Sequence, residues 1–178
     1  MNRRSVARTA IILSAAALSA CVVNLAFEMK KTFPVKSQAG APNSISQSQV
    51  VNLADYKEVT DHQANIKSLD LDYAEATVTT VNTGNHATKV SGTLKLSLSP
   101  TGNADADILV GTLTNFPVNT VGSTVKLNGT PALDAFLLEQ LHKTGTFYAI
   151  ITGTVDGSAD VVLDVNLHAA MGYDSGLF

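Results

Sequence analysis

The chain of 178 residues contains no tryptophan and a single cysteine, Cys21. One cysteine cannot form an intramolecular disulfide or a multi-cysteine metal cluster, so the fold must be stable without either. Arginine occurs only at Arg3, Arg4 and Arg8. The rest of the chain carries nine lysines against 15 acidic residues, a formal charge of 9 − 15 = −6. We therefore expect no nucleic-acid partner, because phosphate backbones require clustered positive charge.

The first twenty residues have the three-part layout of an export signal. The three arginines form a basic region, Thr9 to Leu18 form a short apolar region, and Ser19 and Ala20 have small side chains. About ten apolar residues are too few to cross a hydrocarbon core of roughly 30 Å as a helix. The segment is therefore predicted to be removed rather than to span a membrane.

The sequence Leu18-Ser19-Ala20-Cys21 resembles the lipobox of bacterial lipoproteins that signal peptidase II cleaves. The resemblance implies a diacylglyceryl group on Cys21, cleavage before it, and acylation such as palmitate on the new amine. It divides the chain into a signal peptide, residues 1–20, and one lipid-anchored domain, residues 21–178. An ordinary secretory signal followed by an unrelated cysteine is the alternative.

Val22 follows the predicted lipid-bearing cysteine, where an aspartate would favour retention in the inner membrane. The lipoprotein rule therefore implies a lipid anchor in the outer membrane of a Gram-negative bacterium, on its periplasmic or surface face. Two or three acyl chains on one residue suffice for stable anchoring. The near absence of a polar tether predicts a domain that lies close to the bilayer.

The remaining sequence is rich in Val, Leu, Ile, Thr and Ala, and apolar residues alternate with polar ones from Leu25 to Phe33. This pattern predicts a mainly β fold, an antiparallel β-sandwich that is immunoglobulin-like in broad architecture. A helix is predicted near residues 131–143, with Thr130 as its cap and Gly145 as its stop. A shorter helix is predicted near residues 53–63, with Asn52 as its cap.

Several local connections are predicted as well. Residues 34–43 are predicted to form a loop because they contain two prolines and a glycine. Residues 69–80 and 90–98 are predicted to form one hairpin, with a bulge near Ala74–Ala76. Residues 147–155 and 161–167 are predicted to form another through Asp156-Gly157, with Asp160, Asp164, Asn166 and His168 on the solvent side.

No pattern of catalytic or metal-binding residues stands out. The four histidines, His62, His86, His142 and His168, are widely separated and lack the spacing of a zinc site. Asn103–Asp107 has oxygen-bearing side chains at alternate positions but lacks the glycine and glutamate of an EF-hand loop. Asp70 and Asp72 are interpreted as solvated strand residues rather than paired catalytic acids. Neither a nucleophile elbow nor a phosphate-binding loop is present, so we expect no cofactor, no metal and no enzymatic activity.

Three functional hypotheses follow. The first is a non-enzymatic, outer-membrane-anchored lipoprotein that acts as a binding or assembly module for an envelope protein, through exposed strand edges. The second is a carrier or sensor of an apolar or lipid ligand held within the sandwich, which would require a pocket of several hundred Å³. The third is an enzyme of unfamiliar type, which would require converging polar residues in one cleft.

Overall fold

A computed structural model of the protein describes residues 22–38 and 40–175. The predicted signal peptide and Cys21 lie outside the described residues. Eight strands and two short α-helices make up the described chain. The strands are β1 Val22–Gln38, β2 Ala41–Asn52, β3 Ile66–Val81, β4 Lys89–Ser97, β5 Ile108–Pro117, β6 Thr124–Asn128, β7 Thr146–Val155 and β8 Asp160–Asp174. The helices are α1 Lys57–His62 and α2 Pro131–Leu141. None of the helices in this part of the chain is long and apolar enough to span a bilayer.

The strands form one antiparallel arrangement in the order β5-β4-β7-β2-β1-β8-β3-β6. We call β1, β8, β3 and β6 the first sheet, and β5, β4, β7 and β2 the second sheet. The two sheets are joined where the end of β1 pairs with the start of β2, through Ser37 opposite Ile45 and Gln38 opposite Ala41. Together they curl into a nearly barrel-shaped sandwich, so the predicted mainly β, antiparallel fold is confirmed.

The strands pair in a nested order, in which the first strand pairs with the last, the second with the second-to-last, and so on. β4 pairs with β5, β3 with β6, β2 with β7, and β1 with β8. The chain is thus one long antiparallel hairpin wrapped around a core, which is the arrangement of a jelly roll. The immunoglobulin-like description is not confirmed, because this nested order of four strands on each sheet differs from that of immunoglobulin domains.

The nested order contradicts both predicted hairpins. β3 lies between β8 and β6, whereas β4 lies between β5 and β7, so these two strands do not pair with each other. β7 and β8 also belong to different sheets, and the Asp156-Gly157 turn carries the chain from one sheet to the other. An alternating pattern shows which face of a strand is buried, but it does not identify the neighbouring strand.

The predicted loop at residues 34–43 is also wrong. β1 continues through Pro34, which lies opposite Val162, and ends at Gln38, while β2 begins at Ala41. Proline lacks an N–H group and is tolerated in strands that pair on one side only. β1 pairs along its length with β8, and it pairs with β2 only at its end, so Pro34 is accommodated.

The turn after β7 is held by its aspartate. The Asp156 carboxylate accepts hydrogen bonds from the hydroxyl of Thr88 and from the backbone N–H groups of Thr88, at 2.8 Å, and Lys89, at 3.1 Å. The hydroxyl and then the backbone bonds lower the pKa of Asp156 to about 2. These bonds fasten the β7–β8 turn to the start of β4.

We expect the stability of the domain to fall as the pH decreases from about 4 to about 2. The folded pKa of Asp156 is about 2, below its ordinary value of 3.8. This carboxylate therefore stabilises the fold above the ordinary pKa, and its contribution is lost as the pH falls through the folded pKa. Asp156→Asn should lower the urea midpoint at neutral pH and make this acid loss shallower. Asp105→Asn is the control, and an equally shallow acid loss in the control would contradict the assignment.

The short helix predicted near residues 53–63 is found in part. Leu53–Asp55 and Gln63–Asn65 form single 3₁₀ turns on either side of α1. Asn52 caps the first turn, since its side-chain oxygen accepts a hydrogen bond from the N–H group of Ala54 at 3.0 Å. Leu53 and Val59 are buried, so the segment packs against the core.

The longer predicted helix is confirmed as α2. The Thr130 hydroxyl accepts a hydrogen bond from the N–H group of Leu133, and Gly145 has the left-handed φ of +68° that a helix stop requires. One face of α2 is apolar and buried. Its apolar residues are Leu133, Phe136, Leu137 and Leu141.

β3 contains a bulge close to the predicted position. Its register with β8 shifts between Leu71 and Tyr73, which leaves Asp72 without a paired residue. The N–H group of Leu71 donates to the carboxylate of Asp134 in α2 at 2.8 Å, and the N–H group of Gly129 donates to the carbonyl of Asp72 at 3.0 Å. The bulge is therefore the place where α2 is attached to the first sheet.

Candidate binding face of the first sheet

The outer face of the first sheet carries an ordered set of polar side chains, which we call the polar face. β8 lies near its centre and alternates from Asp160 to Met171, with inward residues such as Val165 and Leu167 buried. The outward positions Asp160, Asp164, Asn166 and His168 confirm the predicted solvent side. The members of the polar face are Glu28, Lys30, Tyr73, Glu75, Lys126, Asp164, Asn166 and His168.

One chain of contacts crosses all four strands of this sheet. Glu28 in β1 lies 3.2 Å from Nδ1 of His168 and accepts a hydrogen bond from Nδ2 of Asn166 at 2.8 Å. The His168 ring stacks on Tyr73 of β3 with centroids 4.1 Å apart, and Nζ of Lys126 in β6 lies 3.3 Å from the Tyr73 centroid. These cross-strand contacts hold the side chains in fixed positions.

A second cluster lies beside the first. The Asp164 carboxylate is 2.7 Å from Nζ of Lys30 and accepts a hydrogen bond from the Thr32 hydroxyl at 2.7 Å. The Lys30 ammonium, together with the Thr32 hydroxyl, lowers the pKa of Asp164. Asp164 is therefore ionised at neutral pH.

Glu75 lies in the middle of the polar face, in register with Asn166 on one side and Lys126 on the other. Lys126 is directed at the Tyr73 ring. Among the described residues, the Glu75 carboxylate makes no hydrogen bond or ion pair. The neighbouring Oδ1 atom of Asn166 is buried and also lacks a partner there. Glu75 is thus a partly buried carboxylate able to pair with a cationic group from outside.

The polar face contains only shallow depressions among the residues that the structure describes. A depression of about 310 Å³ is lined by Glu75 and the Lys30–Asp164 pair, among others. A neighbouring depression of about 300 Å³ is lined by Glu28, Tyr73 and His168, among others. Both are open to solvent, so the arrangement suits contact with another surface better than enclosure of a small molecule.

The histidines that were considered as metal ligands or catalytic residues lie apart from one another in the structure. His62 stacks on Tyr173 at 3.8 Å, His142 caps the end of α2, and His168 belongs to the polar face. His86 lies in the exposed connection between β3 and β4. Within the described ranges, no three His, Cys, Asp or Glu side chains are grouped to hold a metal ion.

The side chains of the acidic loop make local hydrogen bonds, whereas the strand aspartates are exposed. In the loop, the Asp107 carboxylate accepts from the N–H group of Asn103 at 2.8 Å, and the Asn103 side chain accepts from the N–H group of Asp105 at 3.2 Å. Asp70 and Asp72 are exposed on either side of Leu71 in β3.

The sequence pattern identified the β8 members of the polar face but did not connect them with the members from β1, β3 and β6. Glu28 and Asn166 are separated by 138 positions in the chain. Only the pairing of β1 and β3 with β8 brings these residues together. The alternation of charged and apolar residues in β1 was the available signal.

Comparisons with known proteins give little further information. No protein-family description and no curated protein matches the chain. Among solved structures, the chain is similar to the decameric BFDV capsid protein, with 14% identity, coverage of 85% of this chain and 99% of that chain, and a TM-score of 0.41. It is also similar to the Desmodium yellow mottle tymovirus structure (9% identity, 97% and 93% coverage, TM-score 0.35) and the nora virus structure (9%, 97% and 64%, 0.34). All three TM-scores lie below 0.5.

Proposed function

We propose that the protein is a non-enzymatic binding module of the bacterial cell envelope, anchored in the outer membrane by lipid on Cys21. Its binding surface is the polar face of the first sheet, and its partner is an envelope protein. The observation that carries the proposal is the fixed arrangement of charged side chains around Glu75, whose carboxylate makes no hydrogen bond or ion pair within the described chain.

The contact surface in this proposal differs from the strand edges expected from sequence. The outer strands of the two sheets, β5 and β6, pack beside each other. A Cβ atom at Gly111 of β5 would lie 2.8 Å from the Leu127 side chain of β6. Edges that face one another in this way are poor templates for a third strand. The polar face is open along all four strands.

The carrier hypothesis has less support. The inner faces of the two sheets meet through large buried side chains, including Met29, Phe33 and Phe147. The pocket beside the end of α2, lined by Leu53, Leu141 and other residues, has a volume of about 60 Å³. A drug-sized apolar ligand requires about 300 Å³ or more.

We expect Glu75→Lys to abolish capture of the partner when the mature, lipidated protein is cross-linked in its native envelope and purified in mild detergent. The substitution reverses the charge at the centre of the polar face and places an ammonium group beside Lys126. Mass spectrometry of the co-purified proteins is the measurement. Asp105→Lys makes the same charge change on an exposed loop and should retain the partner. Equal capture by both variants would exclude the polar face as the binding surface.

We expect Cys21→Ser to leave a full-length, non-lipidated precursor, because the proposed lipid is attached through the cysteine sulfur. The intact mass and the distribution between membrane and soluble fractions are the measurements. Efficient removal of residues 1–20 from this variant would contradict the lipoprotein assignment and favour an ordinary secretory signal.

A further inference from the structure

The chain enters one end of the sandwich immediately after Cys21, the proposed lipid attachment point. β1 begins at Val22, and its first pairs with β8 are Val22 opposite Asp174 and Val23 opposite Tyr173. β3 begins at the same end, where Ile66 is also opposite Tyr173. We define the near end as residues 22–24, 53–67 and 173–175.

The distance from the proposed anchor to the near end is very short. No residue separates Cys21 from the first strand residue, and consecutive Cα atoms are about 3.8 Å apart. Acyl chains on Cys21 would lie in the hydrocarbon core, so the Cα atom of Val22 would lie at the level of the lipid headgroups. Val22 and Val23 pair with β8. The anchor would therefore hold the whole first sheet, and not only a free segment, at the level of the headgroups.

The near end behaves as one packed unit. The His62 ring stacks on Tyr173 with centroids 3.8 Å apart, and the Tyr56 ring packs on Phe27 at 6.1 Å. The segment that contains α1 is thereby fixed to both β1 and β8. Whatever holds the start of β1 at a surface also holds this segment there.

The side chains of the near end are compatible with lipid headgroups that carry no net charge. Val22 is 54% exposed and Val23 is 37% exposed, and the partly buried rings of Tyr56 and Tyr173 can lie at a membrane–water interface. The charged residues are four carboxylates and two lysines. They are Asp55, Glu58, Asp61, Asp174, Lys57 and Lys67. This excess of negative charge opposes contact with anionic lipids and is compatible with zwitterionic ones.

We propose that the near end is the surface through which the domain contacts the bilayer, and that the lipid surface it fits is zwitterionic. The proposal rests on the lipid anchor of the proposed function and adds the orientation of the domain. The opposite, far end consists of residues 82–88, 118–123 and 156–159. β1 has 17 residues, and at about 3.3 Å per residue a strand of this length reaches about 55 Å. The far end can therefore stand well clear of the membrane.

The single native cysteine makes a direct test possible. Once Cys21 carries lipid, one engineered cysteine is the only free thiol, so it can be labelled with a fluorophore. Asn65→Cys places the label at the near end and Thr83→Cys places it at the far end, and both native residues are exposed. The lipidated variants are reconstituted into phosphatidylcholine vesicles that contain a lipid with a nitroxide on its headgroup. Intact mass first establishes the diacylglyceryl group on each variant.

We expect the nitroxide lipid to reduce fluorescence several-fold more at position 65 than at position 83. Adding phosphatidylglycerol at low salt should weaken the quenching at position 65, and raising the salt concentration should restore it, because the repulsion is screened. Equal quenching at both positions, or stronger quenching at position 83, would overturn the orientation while leaving the anchor intact. Absence of lipid on the mature protein would overturn the anchor and, with it, the orientation.

Discussion

Leu137→Asp is expected to destabilise the domain by about 4 kcal/mol or more, enough to unfold much of it at 37 °C. Leu137 is 0% exposed and lies on the face of α2 that packs on the sandwich. The same face includes Phe136, whose ring meets Phe147 edge-on at 5.7 Å. The substitution removes an apolar side chain from the core and buries a carboxylate without a partner. Domains of this size are stable by only about 5–15 kcal/mol, so the loss is a large share of the total.

Urea unfolding followed by circular dichroism measures this effect. Ala135→Asp is the matched control, because it places the same side chain in the middle of the same helix at an exposed position. Both variants share the lower helix propensity of aspartate, which is worth less than about 1 kcal/mol. Similar unfolding midpoints for the two variants would show that α2 does not pack against the core through Leu137.

Gly129→Ala is expected to destabilise the domain by about 3 kcal/mol, although it adds a single methyl group. A Cβ atom at this position would lie 1.5 Å from the carbonyl oxygen of Leu71 and 2.6 Å from its carbonyl carbon. These are backbone atoms at the β3 bulge, so no side-chain rotation relieves the overlap. Separating the two segments would also weaken the bonds from Gly129 to Asp72 and from Leu71 to Asp134.

Gly84→Ala provides the comparison for this prediction. Its Cβ atom would meet the Asp160 side chain at 3.5 Å, an ordinary van der Waals distance. Both substitutions reduce the conformational freedom of the unfolded chain in the same way. The difference between the melting temperatures of the two variants therefore measures the effect of the steric overlap at the bulge. A melting temperature for Gly129→Ala equal to that for Gly84→Ala would contradict the close approach of the β6–α2 connection to β3.

Features with a local cause were predictable from the sequence. The start and end of α2 follow from Thr130, Pro131 and Gly145, since capping depends only on residues within one turn of the helix end. The buried and solvent-facing sides of β8 follow from its alternation, because successive side chains of a strand point to opposite faces. The bulge in β3 was likewise predicted within a few residues of its observed position.

Strand pairing was not predictable in the same way. The predicted hairpins assumed that strands adjacent in sequence are neighbours, whereas β8 pairs with β1 and β3, and β7 pairs with β2 and β4. Nothing in the alternation of β7 and β8 distinguishes a turn within a sheet from a crossing between sheets. For the same reason, the contact of Glu28 with His168 and Asn166 required the structure, as did the finding that the Glu75 carboxylate has no hydrogen-bond or ion-pair partner among the described residues.

The nested pairing of the strands has a consequence for the order of folding events. β8 is the last strand of the described chain, and it lies between β1, the first strand, and β3. The first sheet therefore cannot assemble until the C-terminal part of the chain is present. Contacts between residues so far apart in sequence raise the contact order, and chains of high contact order fold slowly. A nascent chain of this protein is thus expected to complete its first sheet only after β8 has been synthesised.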